Sequence, residues 1–379
     1  MLNIALCIGC LEGGGAQRVA CLLANAWAEA GHSVTVFHHD AHANRFPFPQ
    51  SDAVVLNRLP LNHPANRRWK ALLRIFRDAW TLRKALVRHN PDVVVSILPH
   101  ANVLTLLACA GTGFRVVITE LCHPGHEDIA HIWKWLRKWT YPRAAQLVVQ
   151  TRDIHDWFGH EQNRSSVIIP NPVPRPGLEH TPKDERERKT IIAAARLSYQ
   201  KNIGDLVRAF VRLADKHPDW DLHVYGQGDE LDHLHKIIGD AALEKRIILP
   251  GWTDELTAKL AGADMFVLSS RFEGMPMALA EAMAVGLPCV STDCPSGPAD
   301  YIVSGRNGLL VPVEDLDALT KAMDKLMTDQ ALRERLGREA KLITETFSFD
   351  TVMAAWEACL KGRPSCRNGQ RQDQTAETR

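Results

Sequence analysis

The sequence predicts an α/β protein of two Rossmann-like, doubly wound parallel-sheet domains. Three observations carry that expectation. Short runs of buried-strand character alternate with amphipathic helical stretches, as parallel sheets with helical crossovers require. The alternation stops at Pro170-Asn171-Pro172-Val173-Pro174-Arg175-Pro176-Gly177, where fixed φ angles and missing amide donors forbid regular structure, and then restarts. At 379 residues the chain is long enough for two cores.

Residues 2–8 read as a buried strand, Gly13-Gly14-Gly15 as a loop, 16–30 as an amphipathic helix ended by Gly31, and 33–38 as the next strand. That is one βαβ unit. Further strand-like runs at 92–98, 115–119, 146–150 and 166–169 complete a first domain over residues 1–170. The proline cluster and the charge run at 183–189 place a linker and hinge at 171–188. A second domain, 189–347, repeats the alternation with strands at 190–195, 221–225, 246–249, 263–270, 289–292 and 308–311. Ser348-Phe349-Asp350 opens a last helix over 348–362, and residues 363–379, rich in Arg, Gln, Thr and Glu, read as a disordered tail.

An apolar fraction of 45% with 23% charged residues suits a globular enzyme and excludes a disordered chain. The longest apolar run, residues 101–110, is too short to cross a bilayer, and residues 1–11 lack the basic start of a signal peptide. A cytoplasmic protein is expected. Its net charge of +1 hides an asymmetry: residues 1–175 hold 19 Lys and Arg against 12 Asp and Glu, and the remainder 26 against 32. The basic excess gathers around Arg67-Arg68-Trp69-Lys70 with Arg74 and Arg77, and in His131-Ile132-Trp133-Lys134-Trp135-Leu136-Arg137-Lys138-Trp139. Interleaved indoles and cations suit peripheral docking on an anionic membrane, and equally suit a solvated helix face over a Trp-rich core. No nucleic-acid motif accompanies the charge, so no nucleic-acid partner is expected. Of nine cysteines only Cys7 and Cys10 stand at metal or redox spacing, and inert thiols in a reducing compartment are expected.

The most informative stretch is Ser270-Arg271-Phe272-Glu273-Gly274-Met275-Pro276-Met277-Ala278-Leu279-Ala280-Glu281, which follows a strand and opens a helix. Pro276 suits the first helical turn, so Glu273 should lie in the loop and Glu281 about a turn further in. Between them the amides of Gly274, Met275 and Met277 can hold an anion, while the carboxylates accept from hydroxyls on either side. Hydroxyls flanking phosphates describe a nucleotide sugar. Gly13-Gly14-Gly15 follows the first strand without the spacing of a dinucleotide fingerprint or the Lys-Ser of a P-loop. Ala195-Arg196-Leu197-Ser198-Tyr199-Gln200-Lys201 follows the first strand of the second half, and its two cations suit a phosphate that gains charge as a bond breaks. Each such donor can supply about 3 to 4 kcal/mol of barrier lowering.

These residues resemble the retaining glycosyltransferases of family 4, with their E-x7-E element, over nearly the whole chain. Cys294-Pro295-Ser296-Gly297-Pro298 is similar to an element of the subset that builds bacterial surface polysaccharides; there a Glu often follows, where Asp300 stands here. The resemblance implies a GT-B fold, two domains facing across a cleft, with residues 348–362 crossing back to the first. It implies that Arg196 and Lys201 clasp the donor diphosphate, that Gly14 and Gly15 reach it from the other side, and that Glu281 accepts from the ribose. Glu273 would bind hydroxyls of the transferred sugar, His123 would face that sugar, and Gly226 and Gly251 would line the base. The implied activity is metal-independent transfer of a hexosyl or N-acetylhexosaminyl group from a nucleoside diphosphate, UDP being expected, to a lipid-linked or growing glycan, with no cofactor. Asp315-Leu316-Asp317 reads as helix capping and not as a metal site. A nonhydrolysing sugar-nucleotide epimerase of the same shape is the alternative; a nicotinamide dehydrogenase would rest on Gly13–Gly15 and Asp40, and a catalytically silent member is a further rival.

Overall fold

The computed structural model describes residues 1–11, 14–39, 46–61, 68–127, 129–162, 164–173 and 188–362. Gly13, Asp40, Arg67, nearly all of the expected linker at 171–188 and the expected tail at 363–379 lie outside these residues.

The amino-terminal half runs β1 (Asn3–Ile8), α1 (Gly15–Glu29), β2 (Ser33–His38), β3 (Val54–Arg58), α2 (Arg68–His89), β4 (Val93–Ile97), α3 (Pro99–Ala108), β5 (Arg115–Glu120), α4 (His131–Thr140), β6 (Gln146–Val149), α5 (Arg152–Gln162) and β7 (Val167–Ile168). The second half runs β8 (Lys189–Ala194), α6 (Ile203–Leu213), β9 (Trp220–Tyr225), α7 (Leu231–Asp240), β10 (Ile247–Gly251), α8 (Leu256–Ala261), β11 (Met265–Leu268), α9 (Met277–Ala284), β12 (Cys289–Thr292), α10 (Pro298–Tyr301), β13 (Leu309–Val311), α11 (Leu316–Thr328), α12 (Gln330–Ala340), α13 (Ile343–Thr346) and α14 (Phe349–Leu360). The strands order as β3-β2-β1-β4-β5-β6-β7 and as β10-β9-β8-β11-β12-β13. Every pairing is parallel.

Both sheets are therefore doubly wound, and both reverse direction beside their first strand, between β1 and β4 and between β8 and β11. Loops at the carboxyl ends of strands flanking such a reversal form the crevice where open α/β sheets hold ligands. The glycine loop follows β1, the Arg196–Lys201 loop follows β8, and the Glu273 loop follows β11. The two crevices face each other, so one cleft collects all three.

Burial explains the strands. Val93-Val94-Val95-Ser96-Ile97 is buried along its whole length because helices cover both faces of β4. β3 is the strand the sequence hid: only Val54 is buried and Val55 faces outward, so an edge strand carries no apolar run. On one side of the first sheet Trp27, Val34 and Val95 pack with Val352, Trp356 and Leu360 of α14, so the last helix completes the core of the amino-terminal half. The Trp27 and Trp356 rings meet edge to face at 5.7 Å, His32 Nε2 pairs with Glu357 Oε1 at 2.7 Å, and Arg115 donates to the Cys359 carbonyl at 3.0 Å. Among the described residues no helix is long and apolar enough to cross a membrane.

Candidate active site

The carboxyl-terminal wall is built from two loops stitched together. After β8 the chain stays extended, with Ala195 and Leu197 amides donating to Tyr225 and Gln227 carbonyls at 3.0 and 2.9 Å. It then turns once through Tyr199–Lys201 and enters α6 by way of Asn202, whose φ of 47° is left-handed. Asn tolerates that conformation where a branched residue does not. Against this turn lies the loop after β11: Arg271 N donates to Gln200 O at 2.8 Å, Gln200 Nε2 to Phe272 O at 2.9 Å, and Ser269 Oγ to Lys201 O at 2.9 Å. The stitching fixes Lys201 beside Glu273, and Nζ donates to both carboxylate oxygens at 2.6 and 2.7 Å. Ser270 Oγ donates to Glu273 Oε1 at 2.5 Å. An ammonium has three donors, so one remains for a ligand.

Arg196 is exposed at the cleft and has no ion-pair partner among the described residues. Its Nη2 lies 3.8 Å from where a Cβ on Gly14 would stand, so the guanidinium faces the glycine loop across the gap. Gly14 precedes α1 in extended backbone and a side chain there would meet Gln17, whereas a Cβ on Gly15 would meet nothing within 4 Å. Gly226 and Gly251 both hold left-handed φ, and a Cβ on Gly226 would run into the Ala195 carbonyl. Both glycines end strands beside the Arg196 loop.

The helix end after Glu273 also touches the other domain. Gly274 forms an antiparallel bridge with Cys122 of the other domain, and its missing side chain is what lets the Leu121 carbonyl approach. The Met275 carbonyl accepts from Asn171 Nδ2 at 3.2 Å, and Met277 joins the apolar core of the amino-terminal half. Pro276 is the residue before α9, not within its first turn. These residues also pin the domains together. Glu281 does lie one turn in, 3% exposed. Its Oε1 accepts from Nε of Arg18 on α1, across the cleft. Burial pushes the Glu281 carboxyl up and Arg18 opposes the shift.

His123 does not present a free nitrogen to the cleft. Nδ1 accepts from Gly125 N–H at 3.2 Å and Nε2 stands 3.5 Å from Asp153 Oδ2; burial lowers its pKa. The ring that reaches the carboxyl-terminal domain is His126, stacked on Phe272 at 5.6 Å beside Glu273. Below this loop lies a buried network absent from the sequence reading: Tyr141 OH donates to Glu120 Oε1, and Arg137 Nη1 donates to Glu127 Oε2 at 3.3 Å. Burial raises Glu120 to about 7 and Glu127 to about 8, with Arg137 opposing both. Asp300 caps its own helix by accepting from Gly297 N at 3.3 Å, while Ser296 Oγ meets Thr151 Oγ1 of the first domain at 2.7 Å. Asp315 caps α11 through Ala318 N at 2.8 Å and Asp317 pairs with Arg212 at 2.6 Å, so the D-x-D string is spent on structure.

Sequence would not have paired Arg18 with Glu281, which is 263 residues away. The only signal was its place one turn into the helix that follows the glycine loop.

Two family models divide the chain between them. Residues 14–172 match a glycosyl transferase 4-like domain and residues 179–343 match the glycosyl transferases group 1. An exopolysaccharide phosphotransferase of Streptomyces coelicolor is 32% identical over 220 residues, 57% of this chain, which spans 23% of that protein's length. The Campylobacter jejuni GalNAc-alpha-(1->4)-GalNAc-alpha-(1->3)-diNAcBac-PP-undecaprenol alpha-1,4-N-acetyl-D-galactosaminyltransferase is 24% identical over 365 residues, 94% of this chain and 97% of its own. Among solved structures, HepE of Anabaena in complex with UDP and glucose superposes with a TM-score of 0.77 at 16% identity, covering 95% of this chain and all of that one. The epimerase alternative gains no support from these matches. With one glycosyltransferase model on each half and two doubly wound domains facing across a cleft, the chain belongs to the family 4 glycosyltransferases and has their GT-B fold.

Proposed function

We propose that the cleft transfers a hexosyl or N-acetylhexosaminyl group from a nucleoside diphosphate, UDP in the first instance, to a lipid-linked or growing surface glycan, with retention and without a metal. The observation that carries the reading is the Lys201–Glu273 clasp with Arg196 on one wall, opposite Gly14. Among the described residues Lys201 keeps one donor free and Arg196 keeps its whole fork, so two cations can take a diphosphate that gains charge as the glycosidic bond breaks. In a front-face step the bond from sugar C1 to phosphate oxygen breaks as the bond to the acceptor oxygen forms on the same side. The acceptor's proton goes to the leaving phosphate. Arg196 and Lys201 would fill the place a divalent ion has elsewhere. HepE, which shares the fold, holds UDP and glucose, and the Campylobacter relative is named for a polyprenyl-linked acceptor; both support the choice of donor and acceptor class.

Peripheral contact with an anionic membrane fits the outer face of α4, where Trp135 and Trp139 are exposed and stack at 6.3 Å, with Arg143 over Trp139 at 4.0 Å. Exposed Phe76 and Trp80 of α2 lie on the other side of α3. The cytoplasmic side, where nucleotide sugars are made, is the compartment this reading requires. Incubation with labelled UDP-sugars, a lipid extract and EDTA tests it: label should pass to lipid or glycan. Label that stays on nucleotide, or an epimerised UDP-sugar, would contradict it.

A further inference from the structure

We propose that Arg18 is a positioning residue for the donor's ribose: from the opposite domain it holds Glu281 by Oε1 and leaves Oε2 as the acceptor for one ribose hydroxyl. The inference rests on the nucleotide-sugar reading above and adds a residue that neither the E-x7-E element nor the diphosphate clasp contains.

Glu281 sits on α9 and is 3% exposed, and a carboxylate so buried needs donors. Arg18 Nε supplies one, to Oε1. Oε2 is equally shut off from solvent and has no hydrogen-bond partner among the described residues. A guanidinium usually meets a carboxylate through two parallel bonds, whereas this single contact leaves the second oxygen buried without a donor. An unpaired carboxylate oxygen calls for a donor, which a sugar hydroxyl is and a phosphate is not.

The surroundings say which sugar. The Arg18 guanidinium lies over the Phe48 ring at 5.1 Å, and Phe48 touches Trp252 at 6.5 Å. Trp252 follows Gly251, at the strand end that the resemblance implies lines the base. The Arg18–Glu281 pair therefore stands beside the base end of the cleft, with the Arg196–Gly14 approach on the phosphate side, and the ribose lies between base and phosphate in any nucleotide. Because α1 and α9 belong to different domains, the ribose subsite is complete only when the domains sit as they do here. Nucleotide affinity then reports domain arrangement as well as local contacts.

Titration calorimetry of the full chain with UDP, 2′-deoxy-UDP and 3′-deoxy-UDP tests this against Arg18→Gln and Arg18→Lys. The unaltered protein should bind one deoxynucleotide about tenfold or more weakly than UDP, the worth of a hydrogen bond to a charged group. Arg18→Gln should weaken UDP by a similar factor and then bind UDP and that deoxynucleotide within about threefold of each other, the non-additivity of coupled groups. Arg18→Lys should restore part of the discrimination. A residue that merely held the domains together would weaken all three nucleotides equally, and that result would overturn the proposal. So would UDP binding that is unchanged or tighter in Arg18→Gln, which would make the guanidinium a blocker of the site. If the unaltered protein binds no UDP, the donor reading fails and takes the proposal with it; UDP binding with discrimination intact in Arg18→Gln removes the proposal alone.

Discussion

Lys201 and Glu273 hold each other so closely that the ammonium cannot leave without stranding a buried carboxylate. The Lys201 side chain is 19% exposed and that of Glu273 6%, so the pair is shielded from water on most sides. Removing one partner of such a pair costs more than the pair contributes, because the remaining charge stays desolvated. Glu273→Gln keeps the shape and one acceptor, and should lower transfer at least tenfold with little change in UDP affinity, about 1.4 kcal/mol in the barrier; initial rates over a donor range check it. Gly226 offers a different test. With φ at 143° and the Ala195 carbonyl where a Cβ would go, Gly226→Ala must displace the strand end that carries Arg196. A loss of about 2 kcal/mol in urea unfolding together with weakened UDP binding is expected. At this scale the sequence showed residue types well and partnerships badly. Glu281, Arg196 and Lys201 were legible from spacing and charge, and Asp315 was legible as a cap. Arg18 was not, because a contact that spans the cleft leaves no periodicity, and neither was the Ser270 bond to Glu273 within its loop; for His123, expected to face the transferred sugar, the contacts with Gly125 and Asp153 of its own domain were not legible.

Helix α4 works on both faces. Outward it shows Trp135 and Trp139; inward Arg137 is buried against Glu120 at the end of β5 and Glu127 in the next loop. Both carboxyls are raised by burial from an ordinary 4.5, to about 7 and about 8. The folded chain then keeps protons that the unfolded chain has released, so stability contributed here is full below about pH 4.5 and is lost as pH rises through 7 to 8. Glu127→Gln, which cannot ionise, should flatten that fall: melting temperatures should match the parent at about pH 4 and exceed it by a growing margin up to about pH 8.5. Equal losses in both proteins would mean that the network does not titrate. The outer face predicts cosedimentation with vesicles rich in anionic lipid, reversed by high salt and by Lys134→Glu with Lys138→Glu. Equal pull-down by neutral and anionic vesicles would dismiss membrane docking. The expectation for this helix was divided between docking and a Trp-rich core, and the structure divides the residues: Trp135 and Trp139 are exposed, while Trp133 turns in against His100 at 4.5 Å. The alternation of strands was legible because parallel strands are buried on both faces; β3 was not, because an edge strand needs no such run.

The whole molecule is two sheets tied by contacts that come from distant parts of the chain. Cys122 bridges Gly274, Thr151 meets Ser296, and α14 crosses from the second half to pack Trp356 on Trp27. Trp356 is 2% exposed, so Trp356→Ala should cost about 3 to 5 kcal/mol of the amino-terminal domain's stability and separate two unfolding transitions in calorimetry. The doubly wound architecture follows from strand and helix periodicity alone. How the domains meet does not, since the glycine at 274 that lets the Leu121 backbone approach reads in sequence only as a loop residue. The central claim is that fixed cations in this cleft bind a nucleoside diphosphate, and thermal unfolding with UDP in EDTA measures it directly. At 100 times its dissociation constant UDP should stabilise the parent by about 2.7 kcal/mol, and Lys201→Ala should abolish the shift. An equal shift in Lys201→Ala, or none in the parent until magnesium is added, would contradict the account.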